Sequence, residues 1–194
     1  MTRPIFLLRT LILGAIVLSL CACAGTVPQP AGVAAVPTVV PSDGRPDYNY
    51  QCNARRGAYS SWSKSVSGKS AAVSGTILFE KFRHATFSTQ TADVGIVLGG
   101  KKTITLVLVR NSDTEYVALL IDSTEPSAAR IMGSMTIYPR PIPFYFQVTS
   151  DSLAHVAIGR IRGSAHIVGP HPTEVLVGCS TSEAYFGNIA ISSG

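Results

Sequence analysis

From Tyr48 to the end of the chain, short apolar runs alternate with polar residues and are cut by Gly, Pro, Asn and Ser. A side-chain period of two belongs to a pleated strand with one buried face, not to the 3.6-residue repeat of an amphipathic helix. Within residues 103–109, Ile104, Leu106 and Leu108 fall on one face, with Thr103 and Thr105 on the other. Within residues 144–148, Phe144, Phe146 and Val148 turn inward and leave Tyr145 and Gln147 for solvent or a ligand. Residues 115–121 are β-rich but apolar on both faces, the pattern of a central strand.

The connectors carry the same message. Gly99-Gly100 between two apolar runs predicts a two-residue hairpin, because such turns need positive φ. Asn111-Ser112-Asp113 joins the next pair of strands, and Pro139, Pro141 and Pro143 interrupt the chain between two more. Gly169-Pro170-His171-Pro172 separates the last ones, and only residues 127–131 offer a short helix. The spacing predicts about nine or ten strands in an all-β, antiparallel two-sheet sandwich.

The closing segment, Cys179-Ser180-Thr181-Ser182-Glu183-Ala184-Tyr185-Phe186-Gly187-Asn188-Ile189-Ala190-Ile191, resembles the last strand of concanavalin-like lectin and glucanase jelly rolls. The resemblance extends over most of residues 67–192, with Val73-Ser74-Gly75-Thr76-Ile77-Leu78 as an early strand. It implies a jelly-roll sandwich and a connection with glycans. The glucanase branch of that superfamily carries a row of acids on one strand, because a retaining hydrolase needs two carboxylates about 5 Å apart. The nearest segment here, Leu120-Ile121-Asp122-Ser123-Thr124-Glu125, has Asp122 and Glu125 at the spacing of the last two acids and Leu120 in place of the first. Asp-Ser-Thr-Glu-Pro is also good turn chemistry, and the turn is the favoured reading. The expected module is therefore non-catalytic, with a degenerate or unusual glycan hydrolase as the alternative.

The first 23 residues have a different character. Arg3 and Arg9 precede an apolar stretch, Leu11 to Leu20, that ends in Leu20-Cys21-Ala22-Cys23-Ala24-Gly25. A basic start, an apolar centre of about ten residues and a small-residue exit form a secretory signal peptide, too short to stop as a transmembrane helix. Leu20-Cys21-Ala22-Cys23 resembles the bacterial lipobox, which implies cleavage before Cys23 and a lipid on its sulfur. Cleavage after Ala24, as for plain secretion or a soluble periplasmic protein, is the other option. Two or more acyl chains hold a protein stably at a membrane, and Ala24 after the cysteine points to an outer-membrane lipoprotein facing the periplasm.

Residues 24–47 form a Pro-rich linker, with Pro28, Pro30, Pro37, Pro41 and Pro46. Proline blocks helix and sheet interior, so the segment is expected as an extended spacer between the anchor and a domain at residues 48–194. Cys52 and Cys179 are the cysteines of that domain, one near each end. Without His or Cys at ligand spacing, and in an oxidising compartment, they are expected as a disulfide rather than a metal pair or free thiols.

The remaining signals exclude more than they assign. Net charge is +5, with charged residues at 14% and no dense Lys/Arg run, which argues against nucleic acid as a partner. His84, His155, His166 and His171 form no metal-binding motif, although His155 and His166 fall on strands able to meet in space. No phosphate loop, dinucleotide motif or nucleophile elbow occurs, so no cofactor is expected. The aromatic residues Tyr59, Trp62, Tyr138 and Tyr145 are the ligand-binding candidates. Exposed rings stack on sugars, and the competing reading has them sealing the ends of the sandwich. The expected partners are the membrane, through an N-terminal lipid, and an envelope glycan or envelope protein. Contact with an envelope protein corresponds to a further role as an assembly accessory.

Overall fold

The structure, a computed structural model, describes residues 48–82, 89–123, 129–137 and 139–194. The signal and linker segments, Cys23, His84, Glu125 and Tyr138 lie outside the described residues. The chain runs through β1 (Tyr48–Asn53), β2 (Tyr59–Ser65), β3 (Ala71–Phe82), β4 (Thr91–Leu98), β5 (Lys102–Arg110) and β6 (Glu115–Asp122). It continues through β7 (Arg130–Thr136), β8 (Ile142–Val148), β9 (Leu153–Ile158), β10 (Ile161–His166), β11 (Pro172–Ser180) and β12 (Ser182–Ser193).

These strands form two six-stranded sheets, ordered β1-β12-β3-β8-β9-β10 and β2-β11-β4-β5-β6-β7. Every ladder within them is antiparallel. The last two strands fill slots left by the first four: β12 lies between β1 and β3, and β11 between β2 and β4. Sheet formation at the start of the domain therefore waits on its end.

The alternation predicted from sequence sets the faces. Ile104, Leu106 and Leu108 on β5, and Phe144, Phe146 and Val148 on β8, are buried between the sheets. They meet Ile77, Phe186 and Ile189 from the first sheet and Val94, Ile96, Val175 and Val177 from the second. Phe144 sets its edge on Phe186 at 6.5 Å, and Phe79 stacks on Tyr116 at 4.9 Å. Burying side chains of this size is worth about 1.5–3 kcal/mol each before conformational entropy is subtracted. Burial also pushes the Tyr116 hydroxyl well above its usual pKa, against a small opposing effect of Arg110.

Cys52 on β1 and Cys179 on β11 form the expected disulfide, with Cα atoms 6.1 Å apart and a sequence separation of 127. It ties the first sheet to the second at a fully buried point. Beside it the chain changes sheets through one residue, Thr181, at φ 52°. The Thr181 amide donates to Ala58 O at 3.2 Å, and its hydroxyl accepts from the Gly57 amide at 3.2 Å. Ser182 Oγ donates to Thr91 O at 2.9 Å.

Three expectations are corrected here. The described residues form twelve strands rather than nine or ten, because β1, β2 and β10 are mostly polar and lack the apolar run by which a strand is recognised. The β4–β5 connection is a three-residue 3₁₀ turn, Gly99–Lys101, closed by the Leu98–Lys102 pair. Lys101 (φ 63°) joins Gly100 (φ 74°) in the left-handed region, so the two glycines alone do not make the turn. Of residues 127–131, Arg130 and Ile131 belong to β7 rather than to a helix.

Cross-linking across so long a loop removes about 5 kcal/mol of unfolded-chain entropy as an upper value. The Cys52→Ala/Cys179→Ala double variant is expected to lose roughly 3–5 kcal/mol in a urea titration. A loss under about 1 kcal/mol would mean that the sandwich holds its two ends together without the bond.

Candidate functional site

Two outward faces are available, and they differ. The second sheet presents mainly aliphatic side chains, among them Val107, Leu119 and Ile131, the last 66% exposed. The first sheet presents polar and aromatic ones. Period two on β8 turns Tyr145 and Gln147 outward, and the ladder continues their row. Gln147 stands opposite His155 of β9, and His155 opposite Ser164 of β10. Tyr145 stands opposite Ser74 of β3 and Ala157 of β9.

Within this row the Tyr145 hydroxyl donates to Gln147 Oε1 at 2.8 Å. That bond orients the amide, leaving its NH₂ group to donate elsewhere. Partial burial raises the Tyr145 pKa, so the phenol stays neutral. Beside the ring lies a narrow groove of about 10 Å³, lined by Ala72, Ser74, Tyr145, Ala190 and Ser192. Such a volume holds about one water, so this is a surface platform with a ring as its wall rather than a pocket.

Tyr185 of β12 belongs to the same face, in register with Leu78 of β3 and Gln51 of β1. Its ring lies over Gly187, where a Cβ would stand 3.0 Å from Tyr185 Cε1. Absence of a side chain at 187 is what allows the ring to lie flat. Gln51 Nε2 donates to Glu183 Oε1 at 3.2 Å and to Glu80 Oε2 at 3.4 Å, closing that end of the face with acids. From the ladder, Tyr185 and Tyr145 are two strands apart and four residues along β3, roughly 16 Å in all.

At the opposite end, His155 and His166 gather with Asp151. The Asp151 carboxyl is held below its usual range first by the Thr149 hydroxyl and its own amide, then by attraction to His155 and His166. The two strand histidines thus share a neighbourhood, as their positions in sequence allowed. Among the described residues no cluster of His, Cys, Asp and Glu is arranged to hold a metal ion.

The other ligand-binding candidates are not brought to this face. Trp62 turns inward from edge strand β2 and packs against the core, which is the sealing role weighed against sugar stacking. Tyr59 is 54% exposed but stands on the outward face of the second sheet, and Tyr138 lies outside the described residues. Asp122 ends β6, also in the second sheet. Ser123 follows it in a turn, donating from its amide to Thr103 O (2.9 Å) and accepting the Thr103 amide on Oγ (2.7 Å).

A residue the sequence reading passed over is Asp93. Alternation puts it on the outward face of β4, yet it is only 7% exposed. It pairs across the ladder with Gly178 of β11, and the Tyr59 hydroxyl lies over that glycine, 2.5 Å from where a Cβ would be. Asp93 Oδ1 has no hydrogen-bond partner among the described residues. Burial raises its pKa to about 7, against a small lowering by the Thr91 hydroxyl. Burial and the Asp93 charge together raise the Tyr59 pKa to about 12. No local signal marks Asp93, since its cover comes from a ring 34 positions earlier in the chain and on a different strand.

No protein-family model matches the sequence, and no curated protein matches it. Solved structures do match. The Emp46p carbohydrate recognition domain in metal-free form aligns at TM-score 0.50 and 13% identity, over 75% of this chain and 82% of that one. A polysaccharide lyase of family 18, aly-SJ02, aligns at 0.51 and 8% identity, over 76% and 88%. An alginate lyase from Pseudomonas aeruginosa aligns at 0.50 and 8%, over 64% and 65%. At such identities the likeness is one of fold, and the fold is the concanavalin-like jelly roll that the closing phrase of the sequence implied.

Asp93 makes stability depend on pH. Its folded-state pKa lies above the unfolded value, so the native protein binds this proton more tightly. Stability from this source is greatest below about pH 4, falls as pH rises toward 7 and is level above. Between pH 5 and 8 the loss is roughly 3 kcal/mol. Asp93→Asn should remove that component, so urea midpoints of the variant change less over the interval. Parallel wild-type and variant profiles would show that Asp93 titrates normally.

Proposed function

We propose that this chain is a non-catalytic glycan-binding module of the bacterial cell envelope, using the outward face of the first sheet. One observation carries the reading: Gln147, His155 and Ser164 stand in register across three strands, with Tyr145 beside Gln147 on β8 next to a groove floored by small residues. A tyrosine ring takes the apolar face of a sugar, while amide, imidazole and hydroxyl groups exchange hydrogen bonds with its hydroxyls. The shallow groove suits a polymer lying across the sheet. Similarity in fold to a carbohydrate recognition domain and to polysaccharide lyases supports a glycan as the ligand class. The secretory and lipobox signals support anchoring at the outer membrane through a lipid on Cys23, with residues 24–47 as the spacer.

Catalysis has less support from the same face. A hydrolase built on Asp122 and Glu125 has Asp122 at a turn of the other sheet. The Tyr145 phenol, with its proton donated to Gln147 and its pKa raised, is a poor base.

A panel of peptidoglycan, lipopolysaccharide and bacterial and plant polysaccharides tests the proposal. Saturable binding to at least one polymer is expected, weakened at least tenfold by Tyr145→Ala. Tyr59→Ala, on the opposite sheet, should leave it within twofold. Depolymerisation of any member of the panel would replace the binding role with an enzymatic one. Silence across the panel would favour a protein partner. For the anchor, labelled fatty acid should enter the wild-type chain and not a Cys23→Ala variant.

A further inference from the structure

Register carries one row across the outward face of the second sheet: Gly178 of β11, Asp93 of β4, Val107 of β5, Leu119 of β6 and Ile131 of β7. Exposure rises along it, from 7% at Asp93 and 8% at Val107 to 66% at Ile131. The row therefore begins as a recess and ends as open apolar surface. Glycines shape the recessed end. A Cβ at Gly178 would stand 2.5 Å from the Tyr59 hydroxyl, and one at Gly95 would stand 3.0 Å from Leu176 Cγ and 3.3 Å from Thr105 Oγ1. Those side chains lean over the two glycines next to Asp93, whose own position on β4 faces away from the core.

A buried carboxylate is ordinarily held by donors, and one without them costs stability. Asp93 Oδ1 has no hydrogen-bond partner among the described residues. The face around it is short of cations as well. Outward positions of β2, β11, β4, β5 and β6 carry Glu174, Asp93 and Glu115 and no lysine or arginine, in a chain of net charge +5. A cationic donor from outside the domain would complete the site, and its carrier has to cover aliphatic surface too. A second copy of this face does not qualify, because back-to-back packing sets acid against acid.

Spacing defines what does. From Asp93 to Ile131 are three strand spacings, about 14 Å, which an extended chain covers in four residues at about 3.4 Å each. Alternate residues of an extended chain face the same way. A lysine over Asp93 thus puts the residue two on above Val107 and Leu119, and the residue four on above Ile131. The lysine stem lies along apolar surface while its ammonium reaches the acid.

We propose that the outward face of the second sheet docks a partner protein through an extended segment of pattern Lys-x-aliphatic-x-aliphatic, with the lysine ammonium on Asp93. The site is on the opposite side of the sandwich from the first sheet's outward face and does not depend on glycan binding there.

Titration of the ¹⁵N-labelled full-length chain with a peptide Lys-Ser-Val-Thr-Val, blocked at both ends, tests it. Amide resonances of Val107, Leu119 and Gly178 should shift saturably, while those of Ser74 and His155 stay in place. Replacing the peptide's lysine by norleucine, which keeps the stem and removes the charge, should weaken binding at least tenfold, as should Asp93→Asn. Ile131→Ser, at an exposed position that leaves the core intact, should weaken it at least threefold and tests the apolar end independently of Asp93. A peptide without effect, equal affinity for the norleucine peptide, or an affinity unchanged in both variants would overturn the proposal. So would a glucosamine tetramer that binds at Asp93 as tightly as the peptide, since that assigns the site to an amino sugar. None of these outcomes bears on the polymer panel, so the two sites fail or stand separately.

Discussion

Everything in this domain depends on one layer of apolar side chains shared by two sheets. Each strand commits every second residue to that layer, and the layer is stable only when both sheets are complete. The chain delivers the closing strands last, since β11 and β12 slot between strands laid down at the start. Such non-local pairing carries a high loop-closure cost before any contact offsets it. The bond between Cys52 and Cys179 acts on that cost by joining the beginning of the domain to its end. The single-residue switch at Thr181, pinned by hydrogen bonds to Ala58 and Gly57, keeps the two closing strands in their separate sheets.

Commitment of the inward residues leaves the outward ones open to other uses, and the two outward faces have diverged. The second sheet's face is aliphatic around a buried acid, Asp93, under Tyr59. An ionised carboxylate there without a full set of hydrogen bonds works against stability. The first sheet's face keeps hydroxyl, amide and imidazole groups in one line, and glycine or alanine where a larger side chain would fill the groove. Small residues at 72, 187 and 190 add little to a sheet's stability. On this face they border the half-buried rings of Tyr145 and Tyr185.

How much of this was legible in the sequence follows from which features are local. The inward set on β5 and β8 was readable because period two is a property of neighbours in the chain, and it turned Tyr145 and Gln147 outward at the same stroke. Polar strands were not readable: β2, with Ser at four of its seven positions, offers a single large apolar anchor in Trp62. That Gln147, His155 and Ser164 form a row depends on register between three strands, which no single segment encodes. Tyr145 stands between two phenylalanines whose period settles its outward side, whereas Trp62 stands among serines, and an edge strand with sparse apolar residues does not announce which side it turns inward. Asp93 was hidden for a related reason, because a long-range ring and a glycine on the neighbouring strand bury it.

The shallowness of the first sheet's groove constrains how it works. Affinity needs surface removed from water in excess of the cost of immobilising the partners, and a recess the size of one water buries little of a single sugar. Monosaccharide binding on such a platform is weak whatever its hydrogen bonds. The two tyrosines, roughly 16 Å apart across the sheet, span more than one sugar unit, so strength has to come from length. A chain laid across both rings makes its second contact at high effective concentration once the first has formed. On the proposed reading, a flat, small-residue face with spaced rings favours long, repetitive polymers over short soluble fragments.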